Sequence, residues 1–305
     1  MGGGVAFFGY GELGLAGLQT LLSIGAPVSN VTVPANRSGP GIDLVRDAAV
    51  RCAVPLLVQP PPRAIAPFVD TLRSVRPDLI IVCSYSMMLP PQVLAVPAKG
   101  AVNVHGGLLP HYRGGHVTQW AIINAEREFG VTLHYIDEGV DTGPVIAERR
   151  FALDEADDAY SVGAKVCEAG SQLLTTWWPR LIDGSAPHVP QDESRAKYWR
   201  LRTPEEGRIT WTMSAYAICR LVRALCANSP GAYVELPESR IQVRRALALP
   251  SLDRHAQPGE VVALEANGVR VAAAGGDVLI VAAVDMEGHQ LAPEALAELF
   301  AHAGA

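Results

Sequence analysis

The chain alternates between short, wholly apolar runs and longer segments whose apolar residues recur every three to four positions. Short apolar runs bounded by turn residues predict buried strands, and a 3.6-residue period predicts helices. The runs fall at 5–8, 31–33, 56–59, 78–83, 101–105, 131–136 and 145–151. Helical periods fall at 13–22, 42–53, 65–75, 116–124 and 159–182. Run 78–83, with Leu79, Ile80, Ile81 and Val82 in succession, has the composition of a central parallel strand buried on both faces. The long period at 159–182 contains Pro179, where a kink is expected, and stops before Gly184. Regular strand–helix alternation argues for an α/β domain.

The pattern changes after Gly184. Residues 184–207 are polar and irregular, and 214–227 read as one helix. Short runs follow at 232–236, 241–246, 259–264, 269–273 and 278–284, separated by Gly, Pro and Asn. That spacing suits a small β-barrel or sandwich. The expected fold class is α/β. It has an open, Rossmann-like, mostly parallel sheet with helices on both faces over residues 1–184. A linker over 185–207 and a small β-barrel (OB-like) domain over 208–305 complete it.

Bulk properties narrow the picture. A chain of 305 residues holds one large or two ordinary domains. It is 49% apolar and 18% charged, so it can build a sizeable core. No apolar run reaches the roughly 18 residues that span a bilayer, so no membrane partner is expected. The five cysteines, Cys52, Cys83, Cys167, Cys219 and Cys226, are scattered and form no C-x-x-C pair. They read as thiols of a reducing compartment, hence a cytoplasmic protein, and not as a disulfide frame or a zinc site. The net charge of −6 gives no general attraction to nucleic acid.

Candidate chemistry concentrates at run 101–105. Asn103 and His105 stand two apart, so on a strand both side chains leave one face. A loop containing Gly106, Gly107, Gly114 and Gly115 follows. An amide that donates and an imidazole that carries a proton suit a reaction with a developing oxyanion. Asp141 lies in the acidic, glycine-bearing loop 137–144 after the next strand, and adjacent loops of an open sheet can converge. Alone, such a His is most often structural, and such a loop is most often an Asx turn.

Gly9, Gly11 and Gly14 match the G-x-G-x-x-G dinucleotide fingerprint, which opens the alternative of an NAD-dependent oxidoreductase. That fingerprint needs an acid about 20 residues on to hold the ribose. Residues 30–34 offer none, and Glu12 inside the loop would repel a pyrophosphate. A tight packing turn is the simpler reading. No clustered metal-ligand spacing and no activated Ser or Cys is visible, so no metal and no covalent intermediate is expected.

Asn103-x-His105 with Leu108, Leu109, Pro110, Arg113 and Gly114, followed by Asp137, Glu138, Gly139, Asp141, Thr142 and Gly143, resembles the folate-dependent formyltransferases. That family takes in methionyl-tRNA formyltransferases and nucleotide-sugar N-formyltransferases. The resemblance extends through residues 84–90 and through 122–126 with 130–132. In the second domain it covers 220–224 and 229–232. Gly107 departs from it, since the family usually has Ser there.

The resemblance implies N10-formyltetrahydrofolate as donor and a primary amine as acceptor. It implies Asn103, His105 and Asp141 as the catalytic set. The backbone around Met87, Met88 and Leu89 and around Ile136, Asp137 and Glu138 would edge the pterin. His111, Tyr112, Arg113, His116, Gln119 and Trp120 flank the catalytic loop and are the candidate acceptor contacts. Arg200 and Arg202 could meet a diphosphate. A tRNA acceptor requires a cationic footprint, yet the chain has only Lys99, Lys165 and Lys197, and loop 34–41 carries only Arg37. We therefore expect a small-molecule amine, foremost an amino sugar on a nucleotide carrier. An amino-acid or peptide amine and initiator tRNA are the alternatives. Self-association as a homodimer stays open.

Overall fold

The computed structural model of the chain describes residues 4–227, 231–237 and 239–303. Ser229 and Pro230, part of the second-domain motif above, lie outside the described residues. By compactness the chain forms two units. The first comprises the described residues up to Val117, with Glu128–Ala152 and Gly163–Arg200. The second comprises Thr118–Arg127, Leu153–Val162 and the described residues from Leu201 onward.

In the first unit, β1 (Gly4–Gly9), α1 (Gly11–Ser23), β2 (Val28–Pro34), α2 (Pro40–Arg51), β3 (Leu56–Gln59), α3 (Ile65–Ser74) and β4 (Pro77–Cys83) alternate as the periodicities predict. A short α4 (Pro91–Leu94) precedes β5 (Ala101–His105). Next come β6 (Arg113–Gly114), α5 (Val117–Ile123), which from Thr118 belongs to the second unit, β7 (Glu128–Tyr135), β8 (Val145–Ala152) and α6 (Ala159–Asp183), whose first residues to Val162 also belong to the second unit. The main sheet has the order β3-β2-β1-β4-β5-β7-β8. The strands from β3 to β5 run parallel, and β7 and β8 close the edge antiparallel.

The apolar runs explain that order. Val5, Ala6, Phe7 and Phe8 of β1 are fully buried, as are Ile80 and Ile81 of β4. Apart from Ala6, each such side chain contributes about 1.5–3 kcal/mol, and two-sided burial demands helices on both faces. On one face, Phe8, Ile80, Val82, Leu89 and Ala101 form a cluster with Ile65, Phe68, Val69 and Leu72 of α3. On the other face, Gly17 of α1 brings the helix against Cys83 and Phe7.

Within segment 185–207, residues up to Arg200 belong to the first unit. There β9 (Tyr198–Trp199) pairs in parallel with β6.

The second unit carries α7 (Ala215–Leu225) and a separate antiparallel sheet of β10 (Ala232–Glu235), β11 (Arg240–Leu249), β12 (Val261–Glu265), β13 (Gly268–Ala273) and β14 (Gly276–Val284). α8 (Pro293–Ala303) follows. The strand order is β10-β11-β14-β13-β12, so among the described residues β10 and β12 stand at the edges. The short, evenly spaced runs predict these strands, which form a five-stranded antiparallel sheet. Among the described residues no helix is long and apolar enough to cross a membrane.

Candidate active site

Strand pairing assembles the site. β5 and β7 run antiparallel, with Asn103 opposite His134 and His105 opposite Thr132. The two-residue period of both strands then places these four side chains on one face. All three of His105, Thr132 and His134 are buried. Thr132 Oγ1 donates to the Gly107 carbonyl (2.7 Å) and accepts from the Leu109 N–H (3.1 Å), which pins the start of the glycine loop. His134 Nδ1 lies 2.7 Å from the Tyr135 carbonyl, so that nitrogen carries a proton. Its Nε2 is then the acceptor for Asn103 Nδ2 at 3.2 Å. His105 Nε2 lies 2.6 Å from the Tyr112 carbonyl, so it too carries a proton.

Asp141 reaches this group by a route that the sequence reading did not anticipate. Because β7 runs antiparallel to β5, the loop after β7 begins beside Ala101, at the start of β5, where the Ile136 N–H donates to the Ala101 carbonyl (2.8 Å). The loop is the tip of the β7–β8 hairpin, closed by the Tyr135 N–H on the Pro144 carbonyl (2.9 Å). It folds back over the polar face. Asp141 Oδ1 stands 3.6 Å from both His105 Nδ1 and His134 Nε2. Its Oδ2 accepts the Gly114 N–H at 2.9 Å.

Asp141 also adopts φ 54°, a left-handed conformation uncommon for a residue with a side chain. Burial alone would raise its carboxyl pKa. The His105 imidazole and the Gly114 N–H outweigh burial and hold it well below the usual carboxylate range.

The residues expected to edge a pterin occupy two loops against one apolar cluster. Leu89 is buried in the cluster that contains Ala101, and Ile136 packs against it. Ala101 shares its strand face with Asn103 and His105. Met87 is half-buried and Met88 is 56% exposed. Gln59 Nε2 holds the Met88 carbonyl (3.0 Å), and Asn36 and Ser86 exchange hydrogen bonds at 3.3 and 2.7 Å. The Asp137 carboxylate is engaged within its own loop by the Gly139 N–H (3.0 Å) and Thr142 Oγ1 (2.5 Å). Glu138 is exposed.

The six candidate acceptor contacts do not form one group. Arg113, expected to meet the acceptor, is fully buried, and its guanidinium is saturated by protein oxygens. Nε and Nη2 donate to Gln191 Oε1 (3.1 and 2.8 Å). Nη2 and Nη1 donate to the Glu193 carboxylate (2.6 and 2.9 Å), and Nη1 also donates to the Tyr198 hydroxyl (2.8 Å). It is a structural clamp because segment 191–198 folds over it. Tyr112 is buried and stacks on Trp199 with centroids 5.3 Å apart. The His111 ring faces Arg195 at 2.9 Å. His116 is exposed, at φ 54°. Gln119 and Trp120 belong to the second unit, where the Arg202 guanidinium lies 4.9 Å from the Trp120 ring centre.

His134 and Gln191 escaped the sequence reading. His134 was findable, because Thr132 and His134 are polar at alternate positions of an otherwise apolar strand. Nothing local marks Gln191.

A polar amide–imidazole–carboxylate cluster thus lines one face of a Rossmann-like sheet, and a separate antiparallel sheet follows it in the chain. Residues 28–177 match the family model for formyl transferase, and residues 202–299 that for the formyl transferase C-terminal domain. The chain belongs to the formyltransferase family. It is 33% identical over 304 residues to the methionyl-tRNA formyltransferase of Myxococcus xanthus (strain DK1622), covering 95% of this chain and 96% of that protein.

Among solved structures, it resembles an N-formyltransferase from Helicobacter canadensis in complex with folinic acid and dTDP-3-aminofucose. The TM-score is 0.68 at 15% identity, over 92% of this chain and 99% of that one. It also resembles HypX from Aquifex aeolicus, with a TM-score of 0.67 at 23% identity over 99% of this chain. The chain spans 48% of the length of HypX. At these identities the structural likenesses speak to the fold.

Proposed function

We propose that the chain moves the formyl group of N10-formyltetrahydrofolate onto the primary amine of a small-molecule acceptor, foremost an amino sugar on a nucleotide carrier. The observation that carries the chemistry is the contiguous group Asn103–His134–Asp141–His105, in which Asn103 Nδ2 meets His134 at 3.2 Å and Asp141 Oδ1 stands 3.6 Å from both imidazoles. The formyl-folate supplies the one-carbon electrophile when bound. Loops 84–90 and 136–143 are the segments that would hold its ring. Buried polar atoms without a hydrogen-bond partner, Gln59 Oε1 and the Tyr85 hydroxyl, belong to or adjoin the first of these loops and fit a polar heterocycle.

Each residue then has a defined task. Asn103 Nδ2 has a second N–H beyond the one given to His134, and it can stabilise negative charge on a carbonyl oxygen. Preorganised donors of this kind are worth about 3–4 kcal/mol. His105 meets acceptors at both ring nitrogens, Tyr112 O and Asp141, an arrangement that the doubly protonated ring satisfies. Asp141 Oδ1 is the atom that draws the amine proton. A carboxylate held this low keeps its charge at working pH, so it would pass the amine proton on to the folate nitrogen, which leaves as its bond to the formyl carbon breaks and the amine–carbon bond forms.

The acceptor class rests on charge. A net charge of −6 and Arg37 as the one cation of loop 34–41 make a poor phosphate footprint for a folded RNA. The second reading, a tRNA acceptor, draws on the full-length relative at 33% identity. A cytoplasmic location accords with five cysteines that are all free.

The test is formyl transfer from N10-formyltetrahydrofolate to a panel of nucleotide-linked 3- and 4-amino sugars, diamino acids and charged initiator tRNA. Product on an amino sugar is expected. Product on tRNA alone would overturn the acceptor and leave the chemistry standing.

A further inference from the structure

Asp141 is tied at two places to one clamp. Its carboxylate accepts the Gly114 N–H (2.9 Å), and its backbone carbonyl accepts from Gln191 Nε2 (2.8 Å). The same Nε2 donates to the Gly143 carbonyl at 2.7 Å. Gln191 Oε1 in turn receives two N–H groups from buried Arg113, the residue next to Gly114. The guanidinium has only donors, so it can face only the oxygen of the Gln191 amide. That fixes which way the amide points and turns both hydrogens of Nε2 onto loop 137–143.

The clamp itself is rigid. β6 pairs with β9, the Lys197 N–H donates to the Pro110 carbonyl (3.0 Å), and Trp199 Nε1 donates to the His111 carbonyl (2.9 Å). A residue held at φ 54° needs its neighbours to keep it there.

We propose that Gln191, oriented by Arg113, is a positioning residue that holds Asp141 against His105 and His134 in the formyl-transfer reaction. The inference rests on the role given to Asp141 above. Gln191 touches none of the reacting atoms; it acts through the carbonyls of Asp141 and Gly143.

Two variants separate positioning from simple anchoring of segment 191–198. Gln191→Glu keeps oxygens for Arg113, so the anchor survives, but it turns an oxygen onto the two loop carbonyls. Gln191→Leu removes both functions. If Gln191 positions Asp141, Gln191→Glu lowers kcat about as far as Gln191→Leu, on the order of 100-fold, the usual cost of displacing a reacting group by about an ångström.

The acid limb of the kcat–pH profile should also move upward in Gln191→Leu, which brings no charge of its own to the loop. A released Asp141 loses the Gly114 N–H and stands farther from His105 on β5 and His134 on β7. A third readout needs no turnover. Exchange of the Gly114 amide proton, protected by Asp141 in the wild type, should quicken about tenfold or more in Gln191→Glu.

A Gln191→Glu enzyme with wild-type kcat and Gly114 exchange, and a Gln191→Leu enzyme with the wild-type pH profile, would overturn the inference while leaving the proposed reaction intact. A wild-type enzyme that formylates no amine would instead overturn the reaction. The Gly114 exchange experiment would then still decide whether Gln191 holds the loop.

Discussion

The turn at residues 9–14 and the loop at 106–115 both follow parallel strands of the main sheet and both are dense in glycine, yet they do opposite work. In the first, the glycines make room. A Cβ on Gly14 would lie 3.2 Å from the Gly9 carbonyl carbon and 3.3 Å from the Cys83 carbonyl oxygen, and one on Gly17 would lie 2.5 Å from Cys83 Sγ. That turn brings α1 down onto β4. In the second, the glycine backbone serves polar partners. Gly107 offers its carbonyl to Thr132, and Gly114 offers its N–H to Asp141. A glycine-rich turn therefore reports close backbone approach and nothing more. Chemistry is reported by polar side chains that find partners across neighbouring strands.

The comparison breaks most sharply at Asp141. Asp141→Asn should cut turnover by about 10³-fold, within the range for a lost proton-handling group, as measured in single-turnover formyl transfer. A smaller effect is expected where the glycine loop meets the imidazole. A Cβ on Gly107 would lie 2.9 Å from His105 Nε2 and 3.0 Å from the Tyr112 carbonyl oxygen. Gly107→Ser should push the His105 ring off that carbonyl and slow turnover by about tenfold, far less than outright loss of a catalytic group.

The packing turn should behave in the reverse sense. Gly17→Ala should lower stability by about 1–3 kcal/mol through overpacking, read as a shift in the denaturation midpoint. The rate per folded molecule should be unchanged.

The smallest effect is in stability against pH. The Asp141 carboxyl titrates lower in the folded chain than in the unfolded one. Its stabilising contribution is therefore complete above about pH 4 and is lost as pH falls towards the folded value. The stability gap between wild type and Asp141→Asn should narrow below about pH 4, since an asparagine does not titrate. A gap that widens on acidification would contradict the charge partners assigned to Asp141.

Much of the architecture is legible in the chain because burial leaves a periodic trace. The β4 run of Leu79, Ile80, Ile81 and Val82 can be little else than a central strand, and Asn103 and His105 stand out as polar interruptions at its neighbour. The direction of β7 leaves no such trace. Alternating residues read the same parallel or antiparallel, so the hairpin route of Asp141 became visible only with the strand pairing.

Arg113 misled for a related reason. An arginine beside a glycine loop ordinarily meets solvent or an anion. Its burial depends on Gln191 and Glu193, almost eighty positions away, arriving as a ready-made set of oxygens. Gln119 and Trp120 illustrate a further gap: sequence adjacency to the loop does not place them in its compact unit.

The central claim is that the polar face shared by β5 and β7 performs formyl transfer. Its most direct test is the single-turnover rate of His105→Ala against wild type, at saturating N10-formyltetrahydrofolate with the acceptor that the amine panel identifies. The account predicts a fall of about 100-fold or more with folate binding retained. A His105→Ala enzyme that transfers formyl at the wild-type rate would contradict it.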